Sequence, residues 1–216
     1  MKSALALAVI GVACTAPVQP LPRCAADVVA ALADSDPLAA AVAQRVSEKA
    51  CERAPADAVA RRQAVTDSLA ELSEQRLVLT DEQRSVVVRV LMREADAHTL
   101  RALVRFLDDR DLGAVTLAEF VNGTHPAIDD VLIERLREFW RPPDALFAAL
   151  GARRARNAVE ALLGFAEGGA PAAAARHALA QIGDRRAEAV LRAARDDGLD
   201  GADADWRLYC ERRSSP

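Results

Sequence analysis

Apolar positions along the chain recur at helical spacing, and polar punctuation cuts them into short segments. Ala25 to Ala33 predicts a short helix. Asp34-Ser35-Asp36-Pro37 predicts a stop and restart, with Asp36 as cap and Pro37 at the first helical position. Helices are expected over about 38–53 and 58–76, the second carrying Val59, Val65, Leu69 and Leu72. Thr80-Asp81-Glu82-Gln83 has the form of a capping box. It predicts a helix of about thirteen residues that buries Val86, Val87, Val90 and Leu91. Leu100, Leu103, Val104 and Leu107 line up on the next helix. Thr116-Leu117-Ala118-Glu119 has the same box form and is expected to open a short helix. From Pro126 on, Ile128, Val131, Leu132, Leu136 and Phe139 fall on one stripe, with acids and arginines opposite. The last third alternates short helices, near 145–150, 154–166, 171–182, 185–196 and 203–210, with glycine turns.

Composition sharpens this to an all-α fold without sheet. The 216 residues include 48 Ala and only 4% aromatics, so the best helix former dominates and strand formers are scarce. With 51% hydrophobic residues the chain can bury a core, which excludes wholesale disorder. A net charge of -4 argues against a dedicated nucleic-acid binder.

The amino terminus reads as an address. One cation at Lys2 precedes an apolar run from Ala4 to Ala13, too short to span a bilayer. Gly11-Val12-Ala13-Cys14 resembles a bacterial lipobox, with Gly11 where Leu usually stands. That resemblance implies cleavage before Cys14 and its lipidation, leaving the folded part in water. Cleavage after Ala16 is the competing reading and would give a soluble periplasmic or secreted protein; Pro17 in the next place disfavours it. The prolines at 17, 20 and 22 suit an extended tether.

Four cysteines, Cys14, Cys24, Cys51 and Cys210, have no two-residue spacing and hence no zinc or thioredoxin-like signal. In an oxidising compartment Cys24 and Cys51 are the expected disulfide, near the outer ends of two antiparallel helices. A closed loop of about 28 residues corresponds to roughly 3–4 kcal/mol. Cys210 is then left over.

Ala178-Leu179-Ala180-Gln181-Ile182-Gly183-Asp184-Arg185-Arg186-Ala187, followed by Val190, Leu191 and Ala194, resembles one unit of the bacterial HEAT-like repeats found in phycobilisome lyases. The residues fit that role physically. Gly183 can end the first helix at positive φ, and Asp184 can cap the second. An echo at Leu150-Gly151-Ala152-Arg153-Arg154-Ala155 lies 31–32 residues upstream, with Ala152 in place of the cap acid. The resemblance covers residues 147–196 only. It implies an α-solenoid-like end to an irregular helical array, whose preceding helices must cover the exposed repeat face. It carries no lyase chemistry.

Candidate chemistry is sparse. Asp108 to Glu119 resembles an EF-hand loop, with Gly113 sixth and Glu119 twelfth, but Arg110 and Leu112 stand where oxygen ligands belong. A plain helix–turn–helix accounts for it. Leu79-Thr80-Asp81-Glu82-Gln83 matches the Leu-Thr-x-x-Gln motif of small periplasmic helical chaperones, without the second copy common there. His98, His125 and His177 share no helical face, and no nucleophile elbow, phosphate loop, dinucleotide fingerprint or zinc-protease motif occurs. No catalytic, cofactor or metal residues are therefore expected. Arg153-Arg154 and Arg185-Arg186 sit at matching places in the two units when Gly151 is set against Gly183. Stacked, they would line one edge suited to an acidic partner or a phosphate-bearing lipid.

The expected organisation is a signal at 1–13, a tether at 14–24, helical hairpins at 25–78 and a helical domain at 79–213. The expected role is a monomeric, lipid-anchored interaction scaffold that binds a protein partner in the bacterial envelope, not nucleic acid. A periplasmic chaperone of helical type is the alternative.

Overall fold

The computed structural model describes residues 20–54, 57–93 and 95–214. Among them twelve α-helices and three short 3-10 turns carry the chain, with no strand. The leader, Cys14 and the tether up to residue 19 lie outside the described residues, while Leu21 packs on the core. In order, the helices are α1 (Arg23–Ala33), α2 (Pro37–Arg53), α3 (Ala58–Glu74), α4 (Asp81–Arg93), α5 (Ala97–Leu103) and α6 (Gly113–Asn122). They continue with α7 (Ile128–Glu138), α8 (Asp144–Ala152), α9 (Val159–Ala166), α10 (Ala172–Ile182), α11 (Glu188–Asp196) and α12 (Ala202–Ser214).

Local chemistry sets several of these boundaries. The Asp36 carboxylate accepts the amides of Leu38 at 2.8 Å and Ala39 at 3.3 Å, with Pro37 at the first helical position, as the sequence predicts. The Thr80–Gln83 box also forms. Gln83 Oε1 accepts the Thr80 amide at 2.9 Å, and Thr80 Oγ1 accepts the Gln83 amide at 3.3 Å. Gln83 Nε2 then donates to Asp36 at 2.8 Å and ties the start of α4 to the α1–α2 turn. That bond, aided by the two capping amides, holds the Asp36 carboxyl below its ordinary range.

The expected Thr116–Glu119 box does not form. Thr116 is buried inside α6, which begins at Gly113. Asp109 pre-empts it: its Oδ1 accepts the Asp111 amide at 2.9 Å and the Leu112 amide at 3.0 Å, starting the helix three residues early. Asp109 and Asp111 also face Arg84, whose side chain is fully buried. Arg84 donates to Asp81 at 2.8 Å, to Asp109 at 3.3 Å and through Nε to the Ser73 carbonyl. Arg76 supports Asp111 from outside at 2.8 Å. A cation out of water requires this degree of pairing.

One buried cluster runs from Cys24 to Tyr209. α4 packs on α1, α3 and α6, and thereby crosses the expected 78–79 boundary. α6 meets α8, α8 meets α10, and α10 is covered by α9 and α12.

Cys24 and Cys51 are both buried free thiols, so the expected bridge is not formed. The reason is helix length. α2 has 17 residues against 11 in α1. Cys51 thus lies about five residues farther from the turn than Cys24, roughly 7.5 Å at the helical rise. A disulfide tolerates only about 4.4–6.8 Å between Cα atoms.

The α8–α9 and α10–α11 segments share one local plan along the chain, although α8 packs on α10 and not on α9. Each has a helix, a left-handed residue, a 3-10 turn and a second helix. The left-handed residues are Arg154 (φ 53) and Gly183 (φ 69), and the 3-10 turns are Arg156–Ala158 and Arg185–Ala187. Buried Leu150, Ala158 and Leu162 correspond to Leu179, Ala187 and Leu191. Every one of these pairs is 29 residues apart. Aligning Gly151 with Gly183 is therefore out of register by three. Gly151 is instead a packing residue within α8, where a Cβ would come 2.9 Å from the Cα of Ala178.

Candidate functional site

Three chain segments converge around Gly183. α10 ends there in the left-handed conformation, its amide donating to the Leu179 carbonyl at 3.1 Å. The last turn of α12 presses on it: a Cβ added to Gly183 would lie 2.8 Å from the Cβ of Arg212. The third segment is the end of α8. The Ala155 amide donates to the Leu150 carbonyl at 3.1 Å and the Arg154 amide to Gly151 at 2.9 Å, a Schellman-type close with arginine in the place usually held by glycine.

Between these segments lies a groove of about 540 Å³ lined by Arg154, Arg156, Arg185, Arg186, Arg212 and Arg213. Asp184 is its one carboxylate. Two of the arginines are neutralised locally. Arg186 donates to Asp184 at 2.9 Å, to Glu160 at 3.1 Å and to the Arg156 carbonyl at 2.9 Å. Arg213 pairs with Glu188 and donates to the Tyr209 hydroxyl at 3.1 Å. Bonding to Arg186 drives the Asp184 pKa down to about 2. Arg154, Arg156, Arg185 and Arg212 are exposed and make no ion pair among the described residues. A net-acidic chain thus gathers in one concavity four arginines outside any ion pair, with Arg156 in the field of Asp184.

The structure brings together three of the four arginines expected to face a partner: Arg154, Arg185 and Arg186. Arg153 is turned inward, with its side chain 14% exposed. Its Nη1 donates to the carbonyls of Phe120 at 2.9 Å and Gly123 at 2.7 Å, and its Nε pairs with Asp129. It closes the carboxyl end of α6, which would otherwise leave these acceptors unfilled. Arg156 and the basic pair Arg212-Arg213 join the groove without having been expected to face a partner. Matching buried apolar positions instead of glycines would have found Arg156, the 29-residue counterpart of Arg185. Nothing in the sequence places the end of α12 beside Gly183.

The histidines serve local structure. His98 pairs with Asp67 and His177 with Asp205, each at 2.8 Å, and His125 Nδ1 accepts the Ala127 amide at 3.1 Å. Among the described residues no group of three His, Cys, Asp or Glu is arranged to hold a metal ion, and no helix is long and apolar enough to cross a membrane. No family model matches the chain, and no curated protein or solved structure is similar to it.

Proposed function

We propose that this protein is a binding module of the bacterial envelope, tethered by lipid on Cys14, that receives a negatively charged partner in the arginine groove. The groove's four arginines outside any ion pair carry the reading. Clustered like charges repel one another, and an incoming anion removes that repulsion. On this reading the α8–α9 and α10–α11 segments are HEAT-like units, and the groove lies on the edge where their turns meet. Their common plan at 29-residue spacing supports this. The lipobox-like Gly11-Val12-Ala13-Cys14 supports the tether.

A helical chaperone would need a continuous exposed apolar surface. The large exposed apolar side chains are Leu38, Val59, Leu77, Val78, Trp140 and Leu199, of which only Leu77 and Val78 are neighbours in the chain. Two experiments test the proposal. Metabolic labelling with an alkyne fatty acid should mark the parent and not a Cys14→Ser form; an unlabelled parent removes the tether. Titration of the full chain with oligo-glutamate and with pyrophosphate should detect binding that Arg185→Gln/Arg212→Gln weakens. Indifference to both anions removes the binding reading.

A further inference from the structure

Resting on the reading of the groove as a binding face, we infer that its ligand is a diphosphate or bisphosphate group. Charge is the first argument. Arg186 and Arg213 are spent on Asp184, Glu160 and Glu188, which leaves Arg154, Arg156, Arg185 and Arg212 to be matched. A phosphate carries about -1.5 to -2 at neutral pH and three strong acceptor oxygens, so two phosphates meet four arginines. A single carboxylate brings only one charge, so a peptide would have to place several of them in the groove to match the same cations. Chemistry is the second argument. The groove's basic residues are guanidinium groups, whose planar fork binds phosphate oxygens in pairs.

Construction of the site is the third. The 540 Å³ space has small-molecule dimensions. Its walls are fixed by main chain: the Gly183 turn admits no Cβ against Arg212, and a Schellman-type close sets Arg154. Arg154 is also the one non-glycine residue at positive φ among those described. A strained residue at a concave cluster of like charges is the arrangement in which local cost accompanies ligand binding. Asp184, doubly held by Arg186 through its amide at 3.0 Å and its Nε at 2.9 Å, stays in place as the anion enters.

The test is calorimetric titration of the full-length protein with pyrophosphate, alongside co-sedimentation with phosphatidylcholine vesicles that contain or lack cardiolipin, a bisphosphate lipid. Pyrophosphate should bind, with affinity falling as salt rises. Arg185→Gln/Arg212→Gln should weaken it about tenfold or more with an unchanged melting curve, whereas Arg101→Gln, outside the groove, should not. Binding of pyrophosphate alone assigns a free ligand. Additional groove-dependent binding of cardiolipin vesicles assigns a lipid headgroup. If the double variant binds pyrophosphate as the parent does, the inference is overturned. Groove-dependent binding of oligo-glutamate without pyrophosphate overturns the phosphate and leaves the binding module standing. Binding of neither anion overturns both.

Discussion

Gly183 and Arg212 meet so closely that the turn between α10 and α11 and the last turn of α12 share one surface, with only 2.8 Å between the place a Cβ would take on the glycine and the Cβ of the arginine. Gly183→Ala should therefore lose stability twice. The left-handed conformation costs about 1–2 kcal/mol for a residue with a side chain, and the methyl must push α12 away. Urea unfolding should show a fall of about 2–3 kcal/mol, and weakened anion binding should accompany it.

Arg154 offers the reverse substitution. It holds the same conformation without being glycine. Arg154→Gly should raise stability by about 0.5–1 kcal/mol while lowering affinity for pyrophosphate. A variant that gains in the melt and loses in the titration would show that the arginine serves binding at the expense of stability. Loss in both would show that the arginine side chain supports the fold.

Arg153 and Arg185 stand as neighbours of Arg154 and Arg186 in the sequence, yet they should behave differently. Arg153→Gln strips charged donors from the Phe120 and Gly123 carbonyls and from Asp129, so a loss of about 1.5–3 kcal/mol is expected in urea. Arg185→Gln removes an exposed, unpaired cation from a crowd of cations and should be neutral or slightly stabilising, within about 0.5 kcal/mol.

Arg84 should give the largest single loss. Arg84→Met would leave Asp109 with Arg76 as its cation and strip the Ser73 carbonyl of its buried charged donor. About 3–5 kcal/mol should be lost, read as a lower denaturation midpoint with unchanged slope. Arg84→Lys should recover part of it, since an ammonium cannot span the Ser73 carbonyl and two carboxylates as a fork does.

The acid limb of stability should report Asp184. Bonding to Arg186 lowers its pKa to about 2, below the ordinary carboxylate value of 3.8. Its contribution is therefore complete above that ordinary value and is lost as the pH falls toward 2. Stability measured from pH 5 downward should decline in this window, and Asp184→Asn should flatten that part of the profile.

Much of the fold was legible because short-range chemistry determines it. Asp36 with Pro37, and Thr80 with Gln83, stop and start helices through groups within three residues of each other. The line Leu100, Leu103, Val104 and Leu107 is buried as its spacing predicts. Legibility failed where two local signals competed, as when Asp109 captured the amides ahead of Thr116. It failed again where glycine served as a ruler. Gly151 is small to admit α10, while the left-handed turn falls to Arg154. The candidate groove was half legible: arginines near the two turns are visible in sequence, but the approach of α12 depends on packing between residues about thirty apart.

The three cysteines among the described residues are sorted by access. Cys24 and Cys51 are shut inside the first hairpin, and burial pushes the Cys24 thiol up, whereas Cys210 is open on α12. A thiol-specific dye would tag one end of the molecule at once and reach the other only when the first hairpin opens. The slow phase of that reaction then times the opening of the amino-terminal helices without any introduced cysteine.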